Sequence, residues 1–218
     1  MIKKLQEGKN IALVSDAGMP GISDPGEDLV KLCIENNINV VALPGPCAFA
    51  TALIASGLPT GRFTFEGFLT TNKKNRITHL EEIKNDTRTL IFYEAPHKLV
   101  NTLKDMYEIL GERNITLARE LTKKYEEYIR TTLSKAIEMY ETDAPRGEFV
   151  LIIEGADKEK LELIKKESLP TAEDLLSFYI EKGESGKPLV KKVAEELSLP
   201  KREVYDKYLQ ITGNKSSE

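Results

Sequence analysis

One stretch, residues 11–31, constrains the fold more than any other part of the chain. It opens with four apolar residues, Ile11 to Val14, which is typical of a strand that is buried on both faces. A loop rich in glycine and proline follows, and then an amphipathic run with the period of a helix. This order of strand, turn and helix predicts the first half of a parallel βαβ unit.

The loop in this stretch has the composition of a ligand-binding loop. It holds three glycines and two prolines between Gly18 and Gly26, together with Asp16 and Asp24. Ligands of parallel sheets bind outside the carboxyl ends of the strands, and glycine lets the backbone approach them closely. An ordinary connection between a strand and a helix would also use glycine and proline, and Asp24 could serve to cap the following helix.

The remaining chain predicts an α/β protein with a helical end. Residues 40–43 form a second apolar segment, which predicts another buried strand, and residues 47–56 predict a helix of small residues. Strands and helices then alternate in a pattern that predicts a mixed sheet. After Gly155 the composition becomes charged and helical. Residues 189–197 and 201–209 predict two short helices with the spacing of a helix-turn-helix.

Five blocks of sequence occur in the order of a known family. They are SDAGMPGISDPG from Ser15, PGPCAFATALIASGLPT from Pro44, FEGFL from Phe65, YEAPHK from Tyr93 and ARELTKKYEE from Ala118. Together they resemble the tetrapyrrole methylase superfamily, which binds S-adenosyl-L-methionine, over about residues 5–155. Within it the chain is most similar to members that methylate the 2′-hydroxyl of a cytidine in small-subunit ribosomal RNA.

The resemblance implies a two-domain tetrapyrrole methylase-like fold. We expect a parallel, doubly wound α/β part over residues 1–61, a mixed-sheet domain over residues 62–156 and a helical region over residues 157–218. It also implies a homodimer that acts on ribosomal RNA or the 30S subunit. The cofactor is expected to lie against Asp16, Ala17, Met19, Pro44, Ala48, Tyr93 and Ala118.

Further residues are candidates for catalysis and for RNA contact. A base would assist by taking the proton of the ribose hydroxyl. The candidates near the expected site are Glu94, His97, Arg119 and Glu120, although helix capping explains Glu94 and His97 equally well. Basic runs predict contacts with phosphates by Lys73, Lys74, Arg76, Lys123, Lys201 and Arg202.

The chain departs from the family pattern at three positions and at its start. Met19 stands where threonine is usual, Cys47 where serine is usual and Thr131 where glycine is common. Family members begin with a strand and a first glycine-containing loop, whereas residues 1–10 here predict the end of a helix. We therefore expect the opening segment to be missing, and residues 1–218 alone to bind the cofactor weakly or not at all.

The composition of the chain bears on membrane association, on the redox state of its cysteines and on metal binding. No apolar run approaches the ~20 residues of a membrane span, so no membrane association is expected. Cys33 and Cys47 lie in apolar helical patterns and predict reduced thiols in a cytoplasmic protein. No cluster has metal-ligand spacing, methyl transfer requires no metal, and His79 is expected to be solvated on a polar helix.

A net charge of −4 means that any RNA contact must use local basic patches.

Two other functions are also compatible with the sequence. A methylase of corrin or porphyrin precursors could share the fold, but it would have no use for the helical tail. A non-catalytic nucleic-acid-binding regulator would use that tail and would not bind the cofactor.

Overall fold

The computed structural model describes residues 1–168 and 170–213. These residues form two compact units, one over residues 1–157 and the other from residue 158 onward. The first unit is an α/β structure, and the second is helical.

A five-stranded mixed sheet organises the first unit. Its strand order is β1-β2-β5-β3-β4, in which β1 and β2 are parallel and every other neighbouring pair is antiparallel. The α/β class and the mixed sheet predicted from the sequence are thereby confirmed. The strands are β1 (Phe63–Phe68), β2 (Thr89–Glu94), β3 (Asn114–Arg119), β4 (Glu127–Thr132) and β5 (Phe149–Ile153).

Helices cover both faces of this sheet. One helix, α3, packs on one face, and α4, α5 and α6 pack on the other, whereas α1 and α2 precede them in the chain. The helices are α1 (Ile2–Gln6), α2 (Glu27–Glu35), α3 (Ala48–Ser56), α4 (Lys73–Ile83), α5 (Pro96–Leu110) and α6 (Leu133–Thr142).

The central strands are apolar throughout because both of their faces are covered. In β5, Val150 and Ile152 contact the cluster under α3, whereas Phe149, Leu151 and Ile153 contact the larger cluster under α4–α6. All five of these side chains are buried. Fully burying one such side chain stabilises the fold by roughly 1.5–3 kcal/mol, so these two clusters hold the unit together.

Two segments predicted as strands are not strands. Residues 11–14 and 40–43 have no strand pairing, and Val14, Val41 and Leu43 are 79%, 70% and 77% exposed. A strand requires a neighbour with which to exchange backbone hydrogen bonds, and an apolar sequence does not supply that neighbour. No strand among the described residues pairs with either segment, so the two strand predictions are wrong and the parallel sheet expected in residues 1–61 is not formed.

The second unit consists of helices, as predicted. Thr171 begins α8 with a capping box: its hydroxyl accepts the Asp174 N–H at 3.1 Å, and its own N–H donates to the Asp174 carboxylate at 2.9 Å. None of the described helices is both long enough and apolar enough to span a bilayer. The helices are α7 (Lys158–Ser168), α8 (Ala172–Glu181), α9 (Gly186–Glu196) and α10 (Lys201–Gly213).

Candidate active site

A row of side chains crosses the sheet at the carboxyl ends of β2 and β3. Strand register places Phe68, Tyr93, Val150, Ala118 and Tyr128 next to one another on the five strands. The row includes members of the cluster under α3, in which Ala118 and Val150 are buried. Two predicted cofactor residues, Tyr93 and Ala118, therefore lie on the same face and at the same end of the sheet.

Tyr93 is held in place by the start of α3 and by aromatic rings. Its hydroxyl oxygen accepts a hydrogen bond from the Phe49 N–H at 3.2 Å. Ring centroids of Phe65 and Phe68 lie 4.9 Å and 5.5 Å from the Tyr93 ring, both in edge-on geometry. Burial raises the pKa of Tyr93, so this phenol stays neutral at physiological pH and serves as a fixed aromatic wall.

The glycine-rich loop and the turn at residues 44–46 are joined to each other. The Met19 N–H donates to the carbonyl oxygen of Pro46 at 3.0 Å. Gly18 lies so close that a Cβ there would be 2.9 Å from the same oxygen, and Gly18 has a φ of +76°. The two loops predicted to hold the cofactor therefore form one joined surface, in which Pro44 is exposed.

The geometry of these loops fits a cofactor that carries both a cation and a carboxylate. The Ser15 hydroxyl donates to the carbonyls of Ala17 and Gly18, and this turn leaves the Asp16 carboxylate exposed, where it can balance a positive charge. No side chain caps the start of α3, and the Phe49 N–H donates to Tyr93, so the Ala48 N–H is the group available to an anion there. S-adenosyl-L-methionine has these charges beside an aromatic ring system, and the residues fit it.

Two of the four catalytic candidates face the other side of the sheet. Glu94 and Arg119 both pair in register with Phe149, one position beyond the Tyr93 row. Glu94 is only 2% exposed, and its carboxylate accepts the Ala95 N–H at 2.9 Å and the Thr102 hydroxyl at 2.6 Å. These contacts tie the end of β2 to α5, so the geometry gives Glu94 a structural role, although no side chain caps α5.

Arg119 and His97 also lie apart from the row. A guanidinium nitrogen of Arg119 contacts the Glu127 carboxylate at 3.0 Å, across the β3–β4 pair. His97 lies exposed in the first turn of α5. Among the described residues, no hydrogen bond joins Glu94 to His97.

Glu120 occupies a strained turn directly after β3. Its φ is +50°, and its carboxylate accepts the Glu148 N–H at 2.9 Å and a proton of the Lys123 ammonium at 3.0 Å. These hydrogen bonds lower the pKa of Glu120. Lys123 also contacts the Glu148 carboxylate at 2.9 Å, so a predicted RNA-binding cation is already paired within this turn.

The basic run on α4 divides into two kinds of residue. Lys73 and Lys74 are exposed in the first turn, where the Asn72 side chain caps the helix. Arg76 is buried: its guanidinium contacts the Asp105 carboxylate at 2.6 Å and donates to the carbonyls of Thr70 and Thr71. Its charge is therefore engaged inside the unit.

His79, expected to be solvated, has a side chain that is 31% exposed and that also contacts a carboxylate. Its Nε2 lies 2.8 Å from the Glu66 carboxylate, which β1 presents beside a shift in strand register between Phe65 and Gly67. Among residues 1–168 and 170–213, no group of three or more His, Cys, Asp or Glu side chains is arranged to hold a metal ion.

Sequence reasoning missed the aromatic residues around Tyr93. Phe49 stacks on Phe65 with centroids 4.7 Å apart, and Phe68 and Tyr128 lie in the Tyr93 row. The FEGFL and YEAPHK blocks contain the signal, because both are strand ends. Only the pairing of β1 with β2 brings the two blocks together.

Comparisons with known proteins agree with this architecture. The sequence model described as Tetrapyrrole (Corrin/Porphyrin) Methylases matches residues 1–137. Among solved structures, the methyltransferase CobJ superposes with a TM-score of 0.54 at 22% identity, covering 71% of this chain and 68% of that one. The cobalt precorrin-4 methyltransferase CbiF gives a TM-score of 0.50 at 15% identity, covering 70% and 67%. At these identities the two structures support the fold alone.

Curated relatives are much closer in sequence. The ribosomal RNA small subunit methyltransferase I of Bacillus subtilis is 50% identical over 95% of this chain and 72% of its own length. The protein of the same name from Synechocystis is 47% identical, covering 98% of this chain and 76% of its own length. The chain therefore belongs to the tetrapyrrole methylase family, in the branch of the ribosomal RNA small subunit methyltransferases I.

Proposed function

We propose that this chain, together with the opening segment of its family, transfers a methyl group from S-adenosyl-L-methionine to the 2′-hydroxyl of a cytidine in small-subunit ribosomal RNA. The observation that carries the proposal is the extent of the likeness. Relatives named as methyltransferases of small-subunit ribosomal RNA match nearly the whole chain at about half identity, including the helical second unit. A methylase that acts on a precursor of corrin or porphyrin would have no use for that unit.

The residues of the joined loops would hold the cofactor. When bound, S-adenosyl-L-methionine supplies an electrophilic methyl group on a sulfonium. Asp16 would balance its positive charge, and the open N–H group of Ala48 would bind its carboxylate. Tyr93 would form an apolar wall that excludes water from the reaction, and Ala118, which is fully buried in the same row, would support it. Ala17, Met19 and Pro44 would contribute the surrounding backbone surface.

The ribose hydroxyl needs a proton acceptor as it reacts. Glu94 and Arg119 are turned toward the opposite face of the sheet, which leaves His97 and Glu120 as the candidates to test. We also propose a homodimer as the active form, and 30S subunits or their RNA as the substrate.

Transfer of tritiated methyl groups tests the function directly. Small subunits and protein-free ribosomal RNA from cells that lack the gene serve as substrates, with a corrin precursor as the competing substrate. We expect incorporation into the RNA and its location at a cytidine ribose. Methylation of the precursor in place of RNA would overturn the proposal.

Neutralising Asp16 is expected to weaken cofactor binding. Asp16→Asn keeps the shape of the side chain and removes a charge-assisted contact, which contributes roughly 1.5–3 kcal/mol. Isothermal titration calorimetry with S-adenosyl-L-methionine, on the chain preceded by the family's opening segment, measures the loss. Asp143→Asn, at the end of α6, removes an exposed charge elsewhere and should leave affinity unchanged. Equal affinities of the two variants would remove Asp16 from the site.

The exposed lysines of α4 are expected to contact phosphates. Replacing Lys73 and Lys74 by glutamine should lower RNA affinity and reduce the dependence of log affinity on log salt by up to about 1.4 for two single-strand phosphate contacts. The double variant at Lys3 and Lys4 changes net charge equally and serves as control. An unaltered salt slope would show that this face of α4 is merely solvated.

A further inference from the structure

The second unit contains a basic groove that the methyl-transfer site does not use. Helices α9 and α10 are joined by residues 197–200, in which Ser198 has a φ of +54°. Their apolar faces pack with α8 around Leu176, Val193 and Val204, all fully buried. This packing turns a second face of α9 and α10 outward as an open groove of about 490 Å³.

Four of the six residues that line the groove are cations, and their aliphatic stems lie beside Val190 and Tyr205. Two come from successive turns of α9 and two from the first turn of α10, and no carboxylate lines it. Its six lining residues are Lys187, Val190, Lys191, Lys201, Arg202 and Tyr205. Four positive charges in one groove repel one another, and this repulsion lowers the stability of the unit. A bound polyanion would remove the repulsion, which favours a binding role for the groove over a merely solvated surface.

Other cations of the same unit are engaged with partners. The ammonium of Lys192 lies 2.8 Å from the Glu184 carboxylate and 3.7 Å from the centre of the Tyr179 ring. Lys207 contacts the Glu173 carboxylate at 2.8 Å. These contacts hold the charges of Lys192 and Lys207 outside the groove.

The groove cations are much less engaged. Lys191 has a distant ion pair with Glu195 at 3.8 Å between two exposed side chains. No ion pair with Lys187, Lys201 or Arg202 occurs in the described part of the chain. Lys192 and Lys207 are thus paired outside the groove, whereas Lys187, Lys201 and Arg202 inside it are available.

An aromatic ring gives the groove a second binding property. Tyr205 is 40% exposed, and it lies one turn after Lys201 and Arg202 on α10. Proteins that bind single-stranded nucleic acids combine a positively charged groove with aromatic side chains on which bases stack. An acidic peptide would use the charges but would gain little from an exposed ring.

We propose that the groove between α9 and α10 binds an unpaired segment of RNA, with Lys187, Lys191, Lys201 and Arg202 on the phosphates and Tyr205 stacked on a base. In helix-turn-helix proteins the first residues of the second helix contact DNA, so the geometry of the groove would also fit DNA. The choice of RNA over DNA rests on the proposed function. The groove would hold the substrate through a region separate from the methyl-transfer chemistry.

Equilibrium binding without cofactor tests the groove apart from catalysis. The probe is a fluorescent single-stranded RNA of ~12 nucleotides, within the site sizes usual for such grooves, compared with duplex DNA of the same sequence. The triple variant Lys187→Ala, Lys201→Ala, Arg202→Ala is compared with Lys3→Ala, Lys4→Ala, Lys9→Ala. Both variants change the net charge equally and replace exposed residues.

The groove variant is expected to lose about tenfold or more in RNA affinity, with a salt slope reduced by about 2 for three lost single-strand contacts. The control variant should bind as the parent protein does. Tyr205→Ala should weaken RNA binding by about tenfold, whereas Tyr205→Phe keeps the ring and should bind normally. Thermal unfolding followed by circular dichroism verifies that each variant is folded.

Three results would overturn the proposal. They are equal RNA binding by the groove and control variants, tighter binding of duplex DNA than of RNA, and full displacement of RNA by polyglutamate with no effect of Tyr205→Ala. Because no methyl transfer is measured, failure here leaves the methylation assay untouched. If the protein binds RNA in the groove but does not methylate it, the proposed function is contradicted and the groove proposal is not.

Discussion

Replacing Asp105 by alanine is expected to destabilise the first unit by about 3–5 kcal/mol, because it leaves the buried Arg76 guanidinium without its counter-charge. Asp105 is 5% exposed and Arg76 9%, and their charged atoms are 2.6 Å apart. Chemical denaturation with hydrogen exchange at the amides of β2 and α5 measures the loss in this unit separately.

Two companion variants distinguish the loss of the buried counter-charge from the loss of an exposed ion pair or of both buried charges. Lys73→Ala removes the other cation near Asp105, which is 3.9 Å away and 72% exposed, and should cost under about 1 kcal/mol. Arg76→Met with Asp105→Leu removes both buried charges together and should cost far less than Asp105→Ala alone. If Asp105→Ala is as mild as Lys73→Ala, the buried pair contributes nothing to stability.

In the chain preceded by the family's opening segment, Gly18→Ala is expected to lower affinity for S-adenosyl-L-methionine by about 10- to 100-fold, a loss of ~1.4–2.7 kcal/mol. The added Cβ would lie 2.9 Å from the Pro46 carbonyl oxygen, which also accepts the Met19 N–H. Relieving that contact separates the two loops, and the preorganised cofactor surface is lost. Methyl transfer should fall with binding.

Gly21→Ala is the matched control. Gly21 has a φ of +85°, close to the +76° of Gly18, so both variants bear a similar backbone strain of roughly 1–2 kcal/mol. A Cβ at Gly21 meets nothing within 4 Å. The difference between the two affinities, measured by calorimetry, therefore reports the loop contact. Equal losses would mean that positive φ alone explains them and that the joined loops do not form the site.

The sequence predicts the central strands β2 and β5 well because both have the pattern of a doubly covered strand. Residues 89–93 and 149–153 are apolar on successive positions, which is stable only where both sheet faces are packed. The same pattern failed for residues 11–14 and 40–43. The apolar character of a segment indicates that it can be buried. A strand also needs a neighbouring strand as its hydrogen-bonding partner, and the sequence of the segment itself does not specify that partner.

Side-chain roles were the harder part to predict. Lys73, Lys74 and Arg76 form one basic run in sequence, yet the helical period turns Arg76 inward onto Asp105, which is remote in the chain. Glu94 follows Tyr93 directly, but alternation along β2 sends the two side chains to opposite faces. Neighbours in sequence thus became members of different sites.

Sequence by itself determined the family, the α/β class, the mixed sheet and the helical end, because motifs, periodicity and caps are local properties of the chain. Tertiary structure alone decided which charges are available. Arg76 and Lys123 are engaged by remote carboxylates, whereas Lys187 and Lys201, on different helices, meet in one groove. The physical reason is that a charge is neutralised or exposed by whatever packs against it, and packing joins residues that the sequence keeps far apart.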